Sequence, residues 1–554
     1  MKRILTLSFL LSTSLYMVAQ TPKWYKKARK AQVAVIAYDA KGEIHQGQGF
    51  YTNADGLFVS SYDLVKGANK VTLITTDNKT ATAQRLAGAN SLYNVAKLQS
   101  DATKTPYNPS ATAPVMKGDV LYVMPLSTQK DATPKRDTVV GVEQFEGTYA
   151  YYRLTDTTDE RLEGCPVMNE EGQTVGILQI SGQGDKRAAY VLSLNYAEAL
   201  AVRALDYNNA DLRAIHLPMA LPADESQASS FLYLVSTQHP DYLTHAADFI
   251  NRFPQSPVGY IQQAEAQIAR CDYEAATQTY SQALKAKTGK DDELHYALSK
   301  AIYGACINKV DARPESWTLD KALEEVRAAN SANPSPIYTS MEGFCHYAME
   351  HYAEALTAFS SLSTTNLRSA EYFNYCAECK KKLDAPREEI LALQDSAIAT
   401  FTRPYTQEAA PYFILRAQTL IAMDRHRDAV KDYNEYGHIM SRSLTDRFYY
   451  QRYQLQLKCR YYEAALSDIR QARLLKADNP LYHAEEAAVC YRCGLFDEAI
   501  IACREAIRLD PEFADPYRLY GMSLKQQGKN KEAKTQLQKA ADLGDEVAKK
   551  LLSE

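Results

Sequence analysis

The sequence predicts a multidomain chain, an all-β part followed by an all-α repeat array. Three observations carry this. Between Gln32 and about Val191, ten short runs rich in Val, Tyr and Thr are separated by Gly, Asp and Asn turns. From about residue 228 the apolar period lengthens to that of helices. There, alanine-centred strings recur at a fixed interval: Ala465 to Ala499 to Ala533 is two steps of 34 residues. A chain of 554 residues is too long for one core; at roughly 150 residues per domain it holds three or four domain equivalents.

Ahead of the first strand, residues 1–20 have the pattern of a signal peptide. A basic "MKR" precedes the apolar "ILTLSFLLSTSLYMV", and "AQTPK" offers a small residue for cleavage after Ala19 or Gln20. The apolar run is short of the ~20 residues a membrane span needs, and no cysteine stands at the cleavage site to carry a lipid anchor. An exported protein that does not span the membrane is expected. The periplasm is its expected compartment, with outer-membrane association or secretion as alternatives. The net charge of −4 is spread over mixed signs, without the basic stripe of a nucleic-acid binder.

The β runs come in order: "QVAVIAYD", "GQGFYT", "GLFVSS", "KVTLITT", "NVAKLQS", "DVLYVMPL", "TVVGVEQF", "YAYYRLT", "TVGILQIS" and "AAYVLSL". So many short strands in about 160 residues read as a barrel or sandwich, bounded at 21–204 and closed by a helix over "NYAEALAVRALDY". Residues 205–227 have no period and hold two prolines in "LPMALP", so they read as a linker. Residues 228–554 read as a solenoid of about eight helix pairs.

In the α part, "DYEAATQTYSQAL" gives Ala276, Tyr280 and Ala283, "HYAEALTAFSSL" gives Ala355 and Phe359, and "HRDAVKDYNEY" gives Ala429 and Tyr433. Small residues at fixed points let two antiparallel helices approach closely, the aromatic fills the groove to the next pair, and a proline starts the following helix where no N–H is needed. With Gly343, Gly521 and Pro511 in register, the array resembles the tetratricopeptide repeat. That resemblance implies a concave wall built from the first helix of each pair. It places Gln418 and Ile421, Tyr450 and Gln454, Ala488 and Tyr491, and Arg518, Met522 and Lys525 on the partner-binding face, where extended or helical protein segments would lie. Cys376/Cys379 and Cys490/Cys493 are C-x-x-C pairs one helical turn apart, with no histidine or further cysteine pair at metal-finger spacing. They read as small packing residues, and no metal or cofactor is expected.

Three spaced motifs in the β part resemble the trypsin-like serine proteases of the bacterial stress-protease type. "GQGFYTNADGLFVSSYDLVKGA" is similar to the segment that carries the catalytic histidine, "GANSLYNVAKLQ" to the strand that carries the orienting aspartate, and "RLEGCPVMNEEGQTVGI" to the turn that carries the nucleophilic serine. The resemblance implies a chymotrypsin-type double barrel. It puts Asp63 at the histidine position, Asn94 at the aspartate position, Glu163 at the serine position and Arg161 at the oxyanion-hole glycine. Structural positions of the family pattern persist at Gly47, Gly49, Phe50, Gly56, Gly164, Pro166 and Gly176. A serine nucleophile needs a neighbouring base, and the base an orienting carboxylate; none of the three is present. Side chains of Asp63 and Glu163 are expected to face each other, neutralised by a proton, by Arg161 or by backbone N–H groups.

The expected function is therefore that of a non-catalytic exported scaffold or adaptor, binding protein partners through the repeat groove. The degenerate protease domain would be a second binding or capping module. Two alternatives stand beside it: a subunit of an outer-membrane assembly or secretion complex, and an active serine or cysteine peptidase using non-standard residues, with Ser60, Ser61, His45 and Cys165 as candidates.

Overall fold

The computed structural model describes residues 21–127, 129, 132–157, 159–182 and 187–553; the signal-peptide reading falls outside them. Six strands close the first barrel: β1 (Gln32–Asp39), β2 (Ile44–Tyr51), β3 (Leu57–Ser60), β4 (Ala68–Thr75), β5 (Thr80–Asn90) and β6 (Val95–Ser100), in the order β1-β2-β3-β6-β5-β4. Six more close the second: β7 (Val120–Val123), β8 (Lys135–Phe145), β9 (Tyr149–Leu154), β10 (Pro166–Met168), β11 (Thr174–Ser181) and β12 (Ala188–Ser193), in the order β10-β11-β12-β9-β8-β7. The paired strands within both barrels are antiparallel. This is the trypsin-like double barrel. A long series of paired α-helices, an α-solenoid, follows it along the chain.

Alternation explains the strands. Val33, Val35 and Ala37 in β1 are fully buried inside the first barrel, and Phe58, Val71 and Leu73 join them. Val167, Leu178 and Val191 form the core of the second with Leu121, Val123 and Val139. Two strands lacked the alternating apolar signal. β5 is built of "TATAQRLAGAN", whose inward side chains are mostly alanine, and β10 is three residues long. Closure needs both, because β5 joins β4 to β6 and β10 joins β11 to β7.

The closing helix spans only Leu194–Ala199, shorter than expected. Its chain turns extended at Leu200 and lies against β5 at Gly88, where a side chain would come within 2.9 Å of Leu200.

The stretch expected as a linker is packed against the first barrel. Leu217, Met219 and Leu221 alternate into that barrel's core, together with Leu212 and Ile215. The backbone bonds to β5, Leu86 N–H donating to Pro218 O (2.9 Å) and Ala220 N–H to Leu86 O (2.8 Å). Phe231, Tyr242 and Phe249, from helices Glu225–Leu234 and Tyr242–Arg252, continue the same core. Arg85 of β5 meets Asp248 at 2.6 Å.

The described residues up to Leu294 thus form one compact unit, and a second begins at His295. The first unit also contains the pair Pro257–Ala269 and Tyr273–Ala286. In the second, Leu319–Ala332 is followed by six pairs, from Pro336–Ala348 with Tyr352–Ser361 to Ala514–Gln526 with Asn530–Asp542, and by a last helix Glu546–Ser553. Small residues sit where helices approach. A methyl group at Gly343 would lie 2.6 Å from the Phe359 ring, and Ala465, Ala472, Ala499 and Ala506 are fully buried. Cys376, Cys379 and Cys490 are buried and Cys493 is half-buried, all within apolar clusters.

A device the apolar pattern did not reveal recurs between helices of this unit. Arg416 grips Asp432, and Arg452 grips Asp468, each through two hydrogen bonds of 2.6–2.9 Å at the same sixteen-residue offset. Both aspartates are buried.

Candidate functional site

The residues that the protease resemblance singled out converge. Asp63 stands in the short helix Tyr62–Val65 after β3, Asn94 just before β6, and Glu163 after the 3-10 turn Glu160–Leu162 that leads toward β10. Asn94 joins the other two. Its Oδ1 accepts from the Asp63 backbone N–H (2.9 Å), and its Nδ2 donates to Glu163 Oε1 (2.7 Å). Asparagine suits this place because its backbone is left-handed, with φ 41°, a conformation Asn tolerates better than most residues. It also carries both a donor and an acceptor.

The electrostatics follow from two acids near one another. Burial raises the Glu163 carboxyl above the ordinary range, Asp63 and Glu160 push it further up, and the Asn94 hydrogen bond opposes them. Arg161 does not supply the expected neutralisation through its main contact: its guanidinium is forked onto Asp159 at 2.7–3.2 Å. A raised carboxyl means that the folded state keeps its proton after the unfolded chain has lost it. The associated stability is present below the ordinary value of 4.5 and is lost as pH rises through the folded value. Glu163→Gln, which preserves the Asn94 bond, is therefore expected to stabilise the protein at pH 7. The gain should vanish below about pH 4 in denaturant titrations at both pH values.

The backbone donors needed for acyl transfer are already spent. A protease holds two N–H groups open for the developing oxyanion. Here the Arg161 N–H donates to Asp159 Oδ1 (3.0 Å) and the Glu163 N–H to Glu160 O (3.1 Å). Asp159 caps the 3-10 turn that makes both bonds. Gly164, at φ 83°, allows the chain to leave this turn, and any side chain there would collide with Gln48 O at 2.5 Å.

Beside Glu163 the space is filled by aromatic and amide groups absent from the sequence expectations. Tyr151 stacks on Tyr190 with centroids 5.2 Å apart, its hydroxyl bonds Gln179 Oε1, and Gln179 Nε2 donates to Tyr93 O. Burial, with Tyr190 and Glu163 adding to it, pushes the Tyr151 phenol up to about 12. Only the cluster of Tyr in "YAYYRL" and "AAYVLS" hinted at it.

The alternative nucleophiles are poorly placed. Ser60 is fully buried and donates to Gln48 O (2.9 Å). Cys165 is fully buried, and burial pushes its thiol far above the thiolate-forming range. His45, the only histidine between residues 21 and 204, stands in the exposed β1–β2 hairpin near Asp39 and Glu43. Among the described residues of the barrels, no serine or cysteine is hydrogen-bonded to a histidine.

In the solenoid the proposed contact residues divide into two groups. Gln418, Gln454 and Lys525 are exposed. Tyr450 packs on Tyr453 and Tyr482 with centroids 5.8 and 5.2 Å away, and Tyr491 lies 5.7 Å from Phe496. Arg518 pairs with Asp545 (2.6 Å) and Asp515 (2.5 Å). The second group thus makes contacts within the array.

Paired six-stranded barrels whose triad positions carry an acid, an amide and an acid define a protease-fold domain without an identifiable catalytic triad. No family model and no curated protein matches the sequence. Among solved structures, the chain is similar to the HtrA-type protease AlgW with tripeptide, at 15% identity over 31% of this chain and 59% of that one, with a TM-score of 0.27. It is also similar to the serine endoprotease from Yersinia pestis, at 18% identity over 32% of this chain and 65% of that one, with a TM-score of 0.28. The chain spans less than two thirds of the length of either. Among the described residues, no helix is long and apolar enough to cross a membrane.

Proposed function

We propose that this protein is a non-catalytic exported scaffold or adaptor. Its helical repeats, read as tetratricopeptide-type, bind segments of protein partners, and its protease-fold domain serves as a second binding or capping module. The observation that supports the loss of chemistry is the hydrogen-bonded series Asp63–Asn94–Glu163. It contains no nucleophile and no neutral base, and the neighbouring oxyanion donors are committed internally. Removing triad members costs a serine protease roughly 10⁴–10⁶ in kcat, and here all three differ. What remains is surface: exposed Gln418, Gln454 and Lys525 on the first helices of their pairs, with a periplasmic or envelope partner expected.

Two measurements test this reading. Purified protein incubated with a fluorophosphonate probe and with casein is expected to show no labelled serine and no cleavage; labelling of any serine overturns it. In envelope extracts, cross-linking from positions 418, 454 and 525 should capture a stoichiometric protein partner, and failure of all three sites to cross-link removes the groove from the binding surface.

A further inference from the structure

A second recessed surface lies on the first barrel, away from the Asp63–Asn94–Glu163 series. It is a groove of about 1120 Å³ between the N-terminal segment, the β4–β5 turn and the loop that follows β6. Among the described residues that line it, five are cations, Lys26, Arg29, Lys30, Lys79 and Lys104, against a single acid, Asp77. That excess is notable in a chain of net charge −4. Lys79 is paired with Asp77 at 2.7 Å, and Arg29 is held by the carbonyls of Ser127 (2.5 Å) and Gln129 (2.9 Å). Lys26, Lys30 and Lys104 are exposed and make no ion pair among the described residues. Lys26 stands in the helix Tyr25–Ala28 and Lys30 in the 3-10 turn Arg29–Ala31 that follows it.

Lys26 and Lys30 are presented on an anchored segment. Tyr25, Ala28 and Ala31, from the opposite face of their segment, are buried. Asn108 Nδ2 donates to Ala28 O (3.0 Å), Gln32 Nε2 to Met124 O (2.5 Å) and Trp24 Nε1 to Glu170 O (2.8 Å). Tyr51, 1% exposed, lines the groove from the barrel side, with its hydroxyl beside Ser100.

We propose that this groove binds a molecule carrying two or more phosphate groups. The cations stand on separate elements around a groove of about 1120 Å³, a spread that linked phosphates can span, and an ammonium is a point charge suited to phosphate oxygens from any direction. The tyrosines here are buried, so no exposed ring offers a stacking platform for the bases of a single strand. Such phosphates could be soluble or borne on a lipid headgroup.

The test uses the full exported chain, inorganic tripolyphosphate followed by calorimetry at low and physiological salt, and cosedimentation with vesicles containing a phosphomonoester lipid or only neutral lipid. Saturable one-to-one binding is expected. It should weaken at least tenfold in a Lys26→Ala, Lys30→Ala, Lys104→Ala variant. It should persist when Lys531, Lys534 and Lys539 of helix Asn530–Asp542 are replaced instead, an equal loss of charge. All six side chains are exposed, so neither variant should disturb folding. Tripolyphosphate binding marks a soluble ligand, and binding confined to phosphomonoester vesicles marks a headgroup. Absence of binding in both arms, equal weakening in the two variants, or equal affinity for oligoglutamate overturns the assignment.

Discussion

Replacing Arg416 by alanine is expected to destabilise the second unit by about 3 kcal/mol. Removing one member of a buried ion pair leaves the other charged and poorly solvated, at a cost of roughly 3–5 kcal/mol. The low end applies because the Arg416 side chain keeps 22% of its surface exposed, whereas that of Asp432 keeps 3%. Burial already raises the Asp432 carboxyl, and the Arg416 guanidinium is what opposes this. Without the arginine the carboxyl rises further, and the folded state takes up a proton that the unfolded state does not hold. The deficit should therefore shrink on acidification and be smallest below the ordinary carboxyl value of 3.8, where both states hold the proton. Arg416→Lys should recover only part of the loss, because an ammonium cannot form the fork that meets both Asp432 oxygens and also reaches Asp395 at 2.7 Å. Urea denaturation of the three proteins at two pH values measures all of this. A loss below about 1 kcal/mol would mean that water enters the site and the pair is not buried in solution.

Gly176→Ala is expected to unfold the second barrel or to cost it about 3 kcal/mol or more. The added methyl would stand 2.0 Å from the Leu192 carbonyl oxygen and 2.8 Å from Val191. Both belong to the paired strand β12, where Gly176 faces Ser193 across the ladder. A clash with backbone has no side-chain rotamer to relieve it, so the strands must separate, and overpacking of a well-filled core costs in the range of 1–3 kcal/mol even when side chains can adjust. Near-UV circular dichroism should lose the tyrosine signal of the barrels while the far-UV helical signal of residues 295–553 remains. A fully folded variant would show that the ladder opens at that point.

Most of the architecture was legible because periodicity is a direct image of burial. The ten alternating runs became strands, and the 34-residue recurrence became stacked helices, since in both cases the apolar side chains mark the buried face. What escaped notice had no apolar image. β5 fills its inward positions with Ala81 and Ala83, which carry too little surface to stand out, and β10 is too short to alternate. Leu217, Met219 and Leu221 did alternate, but Pro218 within the stretch and Pro222 after it made it read as a linker rather than as a strap on β5. The site divides in the same way. Motif spacing pointed to Asp63, Asn94 and Glu163 together, and the fold joins them through Asn94. Spacing could not say that Arg161 would turn to Asp159, because that choice depends on a 3-10 turn whose cap lies two residues upstream. Nor could it separate exposed Gln454 from packed Tyr450, which are neighbours on one helix face and differ only in what the adjacent helix offers.

The Asp159-capped turn bears on any redesign of the site as well as on its present chemistry. Reinstating serine, histidine and aspartate at positions 163, 63 and 94 would return the side chains of a hydrolase, yet the two amides would still point at Asp159 and Glu160 rather than at a substrate. The three side chains alone would therefore not make a hydrolase, because the turn would also have to release its two amides toward the cleft.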